Sequence, residues 1–263
     1  MSLLRALWAY RGFISGSVQR EFQSKYRNTM FGAAWNVLQP LAMIIVYTVI
    51  FAEVMRAKLQ GIDSTFGYSI YLCAGVLTWG LFAEITTRAQ NMFLDNANLL
   101  KKLSFPRLCL PVTVVANGLL NFAIVFGLFS VFLVISGNWP GLAYVALLPM
   151  LALLVVLAVG LGMVLGVLNV FFRDVGQFFG IFITFWFWLT PIVYPASILP
   201  AGLQPFMAWN PMAGIMAAVQ GILVGGQWPQ WASLTYPMGL GLVLCLLGLR
   251  LFRKRAGEMV DEL

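Results

Sequence analysis

"LAYVALLPMLALLVVLAVGLGMVLGVLNVFFRDVGQFFGIFITFWFWLTPIVYP", Leu142 to Pro195, holds two long apolar runs parted by one adjacent pair of charges, Arg173 and Asp174. No other charge lies between Arg107 and Arg250. Each run is near or above the roughly 20 residues that a helix needs to cross a bilayer. Backbone groups in lipid must be satisfied within the chain, which favours helices. The stretch therefore predicts two spans joined by a tight turn. Arg173 and Asp174 sit in that turn, where the arginine can snorkel to water.

The rest of the chain agrees. Of 263 residues, 61% are hydrophobic and only 10% are charged, against about 25% charged in soluble domains. The mean hydropathy is +0.88. These values predict an all-α integral membrane protein. Six spans are read: Ala33 to Glu53, Phe66 to Thr86, Leu108 to Ile135, Leu142 to Phe171, Gln177 to Tyr194 and Trp231 to Leu251. They organise residues 1–263 as one membrane domain. Residues 1–32 form a cytoplasmic interface helix and 33–194 carry spans one to five. An outer hairpin covers 195–230, span six 231–252 and a cytoplasmic tail 253–263.

Charge sets the orientation. Arg5, Arg11, Arg20, Lys25 and Arg27 precede span one. Arg88, Lys101, Lys102 and Arg107 follow span two, Arg173 follows span four, and Arg250, Arg253, Lys254 and Arg255 close span six. The intervening loops hold only Arg56 and Lys58, offset by Glu53 and Asp63. Six spans with both termini in the cytoplasm put nearly every cation inside, as the positive-inside rule requires. Met212 to Gly226 is apolar but short for a crossing. As a seventh span it would send the tail's cations outside. The hairpin containing it is therefore read as short re-entrant helices on the outer side, punctuated by Pro195, Pro200, Pro205, Pro211 and Pro229.

The N-terminal stretch lacks a continuous apolar core and so is not a secretory signal. Leu4, Leu7, Ile14, Val18, Phe22 and Tyr26 recur at helical spacing among basic residues, which fits either an interfacial helix or a plain cationic anchor. The pI near 9.6 reflects this membrane-face charge rather than nucleic-acid binding. Cys73, Cys109 and Cys245 sit in or beside apolar segments as packing residues. The chain has no histidine, which excludes His-based acid–base work and His metal ligation. No acidic pair has catalytic spacing, and no phosphate-binding G-x-x-x-x-G-K-[ST] loop occurs. An enzyme is not expected, and no metal or catalytic residue is assigned. The near charge-free spans also argue against ion-coupled carriage. Two transport classes stay open: a permease driven by a partner, and a passive channel.

Four segments narrow the choice. "REFQSKYRNTMFGAAWNVLQPL" (Arg20 to Leu41) sets basic and aromatic residues before Gly32, Trp35, Gln39 and Pro40. "NANLLKKLSFPRLCLP" (Asn96 to Pro111) has the Asn98–Lys102 run and the Phe105-Pro106-Arg107 triplet. "FRDVGQ" is followed by "WLTPIVYP", and then by "WNP" at Trp209, Asn210 and Pro211. In order and spacing these resemble the ABC-2-type permeases that export bacterial polysaccharides, most closely the O-antigen exporters. Gln220 departs from the pattern, since relatives often carry an arginine near there.

The resemblance implies a homodimeric half-transporter in the bacterial cytoplasmic (inner) membrane, without a nucleotide site or cofactor of its own. Two copies of a separate ATPase would hold ATP and Mg. The substrate would be a polysaccharide such as O-antigen, usually lipid-linked. Permeases for capsule, teichoic acid, a small lipid or a drug are the alternatives. The loop from Thr86 to Leu103 becomes the coupling helix, with Asn91, Asp95, Asn96, Asn98, Lys101 and Lys102 towards the ATPase. Arg20, Lys25, Tyr26 and Arg27 supply second contacts.

Other roles come from chemistry. Arg27, Lys101, Lys102 and Arg107 could clamp an anionic lipid diphosphate, although topology alone also explains their charge. Phe185, Trp186, Phe187 and Trp188 lie roughly 12–17 Å into their span at 1.5 Å per residue, deeper than an interfacial belt. With Tyr194 they are candidates to line a sugar conduit, by analogy with stacking of nucleic acid strands on aromatic rings. Packing between helices or against lipid is the competing use of each ring. Four consecutive rings surround a helix, so at most about half can face one path. Pro191, Pro195, Trp209, Asn210 and Pro211 mark the outer gate, because broken backbone at membrane depth is tolerated where it lines a cavity or is buried in protein.

Overall fold

The computed structural model describes residues 8, 10–25, 34–50, 66–102, 109–200, 202 and 204–262. Among them the chain is almost wholly helical, with no strand. The helices are α1 (Arg11–Lys25), α2 (Trp35–Thr48), α3 (Gly67–Asp95), α4 (Ala97–Lys102), α5 (Cys109–Ile135), α6 (Leu147–Phe171), α7 (Asp174–Leu189), α8 (Gln204–Met207), α9 (Pro211–Gly225), α10 (Thr235–Arg255) and α11 (Glu258–Glu262). Short 3-10 turns at Gly141–Ala146 and Trp231–Leu234 lead into α6 and α10.

Among the described residues, four helical stretches are long and apolar enough to cross a membrane: Gly67–Asp95, Cys109–Ile135, Gly141–Phe171 and Trp231–Arg255. They correspond to the second, third, fourth and sixth spans read from the sequence. α2, with 14 residues, lies within the first span, whose remainder from residue 51 is outside the described residues. The fifth is shorter than read, since α7 has 16 residues. α7 begins at Asp174, whose carboxylate suits the positive end of the helix dipole. It stops at Thr190, which is extended before Pro191, as a residue before proline prefers. Span five as read, Gln177 to Tyr194, is thus displaced towards the turn at Arg173.

α6 is the central post. Its glycines let α3 and α10 approach on different sides. A methyl group at Gly162 would collide with Ala89 Cβ, and one at Gly166 would come within 2.7 Å of the Ala89 carbonyl. On the α10 side, a methyl at Gly160 would sit 2.8 Å from the Cys245 amide nitrogen, and one at Gly248 would meet Met163 Cβ at 2.8 Å. Close approach through small residues is the usual means of helix packing in lipid. The Ala158, Gly162, Gly166 series in the sequence thus serves packing, and Ala158 is fully buried.

Two buried clusters fill the bundle. The larger joins Phe82, Phe129, Leu154, Met216 and their neighbours from α3, α5, α6 and α9. The smaller lies at the end carrying the cations and includes Phe93, Leu100, Val170, Phe252 and Met259. Phe93 and Phe252 stack there at 5.4 Å. At the opposite end Trp139, Trp209, Trp228 and Trp231 are exposed, the placement expected of an interfacial tryptophan belt.

Candidate conduit and coupling surfaces

The four consecutive rings divide as helical geometry requires. Phe185 and Trp188 are 66% and 59% exposed, on a face shared with Phe178, Ile181, Phe182 and Leu189. Trp186 and Phe187 turn inward. Trp186 lies edge-on to Trp79 at 5.8 Å and to Phe82 at 5.2 Å, and Phe187 is edge-on to Trp79 at 5.8 Å. Such pairs stabilise by about 0.5–1.5 kcal/mol beyond area burial. Trp186 and Phe187 therefore hold α7 against α3, and Phe185 and Trp188 remain as outward-facing rings.

Asn210 links α7 to α9. Its Oδ1 accepts from Trp186 Nε1 at 2.9 Å and from the Met212 amide at 3.1 Å, and its Nδ2 donates to Thr190 Oγ1 at 3.0 Å. The Met212 bond is the N-cap of α9, with Pro211 as first helical residue and Gly226 in the left-handed region at the far end (φ 59°). Trp209 is exposed, whereas Pro211 is buried. The Trp-Asn-Pro triplet is thus a start signal for α9, a helix whose inner face packs in the main cluster.

Tyrosines brace the turn between α7 and the hairpin. Tyr68 Oη donates to the Val193 carbonyl at 2.6 Å, and Tyr71 Oη lies within bonding distance of the Pro191 and Tyr194 carbonyls. Buried Gln220 donates to the Ile192 carbonyl at 3.2 Å. These residues border an open cavity of about 640 Å³ that also touches Pro191 and Pro195. Tyr194 donates to the Trp188 carbonyl at 2.7 Å, tying the turn back to the end of α7.

At the cationic end the loop after span two differs from the expectation of one polar helix from Thr86 to Leu103. Residues up to Asp95 continue α3, and Thr86, Ala89, Gln90, Met92 and Phe93 are buried. The chain breaks at Asn96 and resumes as α4. Leu100 anchors α4 in the smaller cluster, while Asp95, Asn98 and Lys101 stay exposed. Asn91 and Asn96 are half-buried and donate to the carbonyls of Thr87 and Met92 in their own helix. Their side-chain donors are thus spent on bonds within the segment instead of offering a free polar face. Arg173 and Asp174 are both exposed at the turn, and no ion pair joins them among the described residues. Arg20 is exposed and bonds to Ser17 Oγ at 3.1 Å. Tyr26, Arg27 and Arg107 lie outside the described residues, as do the side chains of Lys25 and Lys102.

One cluster escaped the sequence reading. Glu21 of α1 pairs with Arg88 of α3 and accepts from Asn117 Nδ2 of α5. Arg88 Nε also reaches Glu84 at 3.2 Å, and Asn121 Nδ2 donates to Glu84 Oε2 at 2.9 Å. The cluster fastens the N-terminal helix to two spans. The available signal was a pair of i,i+4 polar couples, Glu84/Arg88 and Asn117/Asn121, each at the end of or within an apolar run.

A profile of the ABC-2 type transporter family matches residues 14–224. The chain belongs to the ABC-2 type transporter family. It is 29% identical to the O-antigen export system permease protein RfbA of Myxococcus xanthus, over 99% of both chains. It is also 29% identical to the protein of that name from Klebsiella pneumoniae, over 89% of this chain and 88% of the relative. The polysialic acid transport protein KpsM of Escherichia coli is 22% identical over 92% and 93%.

Proposed function

We propose that this chain is the channel-forming permease of an ATP-driven exporter that carries a lipid-linked polysaccharide of O-antigen type across the bacterial cytoplasmic membrane. The observation that carries the reading is the similarity to two O-antigen export permeases, over 99% of this chain for one and 89% for the other. The outward face of α7 supports it: exposed rings at successive turns suit the apolar faces of pyranoses without gripping their hydroxyls.

In this reading α2 and α7 complete six spans, both termini are cytoplasmic, and α8 and α9 dip into the membrane from outside. Two copies meet across the ring-bearing face of α7, with Phe185, Trp188 and Tyr194 along the path. Pro191, Pro195 and the Trp209–Pro211 triplet form the outer gate. Two copies of an ATPase bind ATP and Mg and dock on Asp95, Asn98 and Lys101, with Arg20 of α1 beside them. Arg27, Lys101, Lys102 and Arg107 attract the diphosphate of the carrier lipid. Export of a capsule-type polymer is the second reading, favoured by the similarity to the polysialic acid transport protein.

The test is co-purification with the nucleotide-binding subunit, then ATP hydrolysis with lipid-linked glycans of defined composition. Stimulation by an O-antigen-type glycan is expected. A stable complex that no glycan stimulates removes the polysaccharide reading, and failure to form a complex favours a passive channel.

A further inference from the structure

The "FRDVGQ" segment meets α3 through a buried joint whose use the topology alone does not explain. Asn169, near the end of α6, is 2% exposed. Its Nδ2 donates to the Gln90 carbonyl at 3.3 Å and to Asn91 Oδ1 at 3.2 Å. Its Oδ1 accepts from the Gly176 amide at 2.9 Å. One side chain on α6 thus holds both the last turns of α3 and the first turn of α7. Gly176 fits because it has no side chain: a methyl there would lie 2.9 Å from both Asn169 Oδ1 and Gln90 Nε2. Nearby, the Gly162 and Gly166 contacts with Ala89 seat α6 on the same turn of α3.

These contacts connect two surfaces that serve different purposes. Beyond the joint in one direction, α3 runs to Asp95 and hands over to α4 with its exposed Lys101. Beyond it in the other direction, α7 carries Phe178, Phe182, Phe185 and Trp188 along its exposed face. Hydrogen bonds shielded from water are directional and costly to leave unmade, so the two helix ends are constrained to move together. Trp186 and Phe187 also join α7 to α3, at Trp79 and Phe82, but only the Asn169 joint does so at the Asp95 end of α3 among the hydrogen bonds of the described residues.

We propose that Asn169 is a positioning residue that couples movement of the α3–α4 end to the ring-bearing helix α7. Asn91 and Gly176 act as its two seats. The proposal rests on the reading that α4 faces the ATPase.

The experiment uses the intact complex of permease and ATPase in proteoliposomes, measuring ATP hydrolysed and glycan exported together. Asn169→Ala is expected to leave hydrolysis within about two-fold while glycan exported per ATP falls about ten-fold, inside the roughly 5–150-fold range of coupling between sites. Asn91→Ala should act in the same direction, and the double variant should lose no more than Asn169→Ala alone. If Asn169→Ala does not assemble, Asn91→Ala and Gly176→Ala decide by the same ratio. An unchanged ratio in the assembled variants, or hydrolysis and export falling in step, overturns the proposal. Lys101→Glu separates the underlying reading. Undiminished complex formation and hydrolysis with Lys101→Glu remove docking at α4. They leave the joint itself to be judged by the Asn169 and Asn91 ratios.

Discussion

Arg88 offers the sharpest test of how the N-terminal helix is held. Replacing it with leucine removes the cation that Glu21 and Glu84 share. The two carboxylates keep one amide each, from Asn117 and Asn121. The side chains of Glu21 and Arg88 are 43% and 34% exposed, so solvent screening confines that pair to about 0–1 kcal/mol. The Glu84 contact is an i,i+4 pair within α3 and adds nothing to the docking of α1. The inter-helix pair alone sets the effect, up to about 1 kcal/mol or roughly a five-fold shift in the docking of α1. Hydrogen exchange on the purified protein should show residues 11–25 losing about that factor of protection. Amides in the buried middle of α3 should not change. Because both pairs share Arg88, Glu21→Gln should cost little further in the Arg88→Leu background. Unaltered exchange in α1, or uniform loss across the bundle, would refute the assignment of the cluster as the tether of α1.

Further outcomes are expected at two glycines, two rings and Asn210. Gly166→Ala should destabilise the bundle by about 1–3 kcal/mol through contact with the Ala89 carbonyl, read as a lower thermal midpoint in detergent. Gly127→Ala, which meets nothing within 4 Å, should be neutral or gain up to about 1 kcal/mol. Phe185→Ala should keep the midpoint but slow export about ten-fold if each ring contributes as in strand stacking, about 1–3 kcal/mol. Trp186→Ala should instead lower the midpoint, with a cost near 3 kcal/mol or above. Asn210→Ala removes a helix cap and two side-chain bonds, and should increase exchange at the start of Pro211–Gly225 by an amount equivalent to about 1–2 kcal/mol.

The helical class and four of the spans could be read directly from long apolar runs, because in lipid a helix is nearly forced by its own backbone. Gly162 and Gly166 carry a signal of the same kind, since small residues four apart leave one flat stripe on a helix. The division of the four rings was legible only in part. Periodicity said that half could face one way. That Trp186 turns inward depends on Trp79 and Asn210, which are remote in sequence. The continuation of α3 past Thr86 was missed because polarity suggested a separate loop helix, whereas Ala89, Met92 and Phe93 keep a buried stripe running to Asp95. The Asn169 joint gave no local signal, since a lone asparagine in an apolar run has no visible partner until three helices are brought together.

The crowded glycines of α6 also limit how the chain can vary. Gly160 faces α10, while Gly162 and Gly166 face α3. Deleting one residue between Gly162 and Gly166 would turn the rest of the helix by about 100°. Val167 would then stand where Gly166 now meets the Ala89 carbonyl. Substitutions at lipid-facing positions of the same helix need preserve only apolarity, but insertions and deletions have no such latitude. Within this helix, change should accumulate by replacement at fixed length. Differences in length among functional variants should gather in the segments that join the spans.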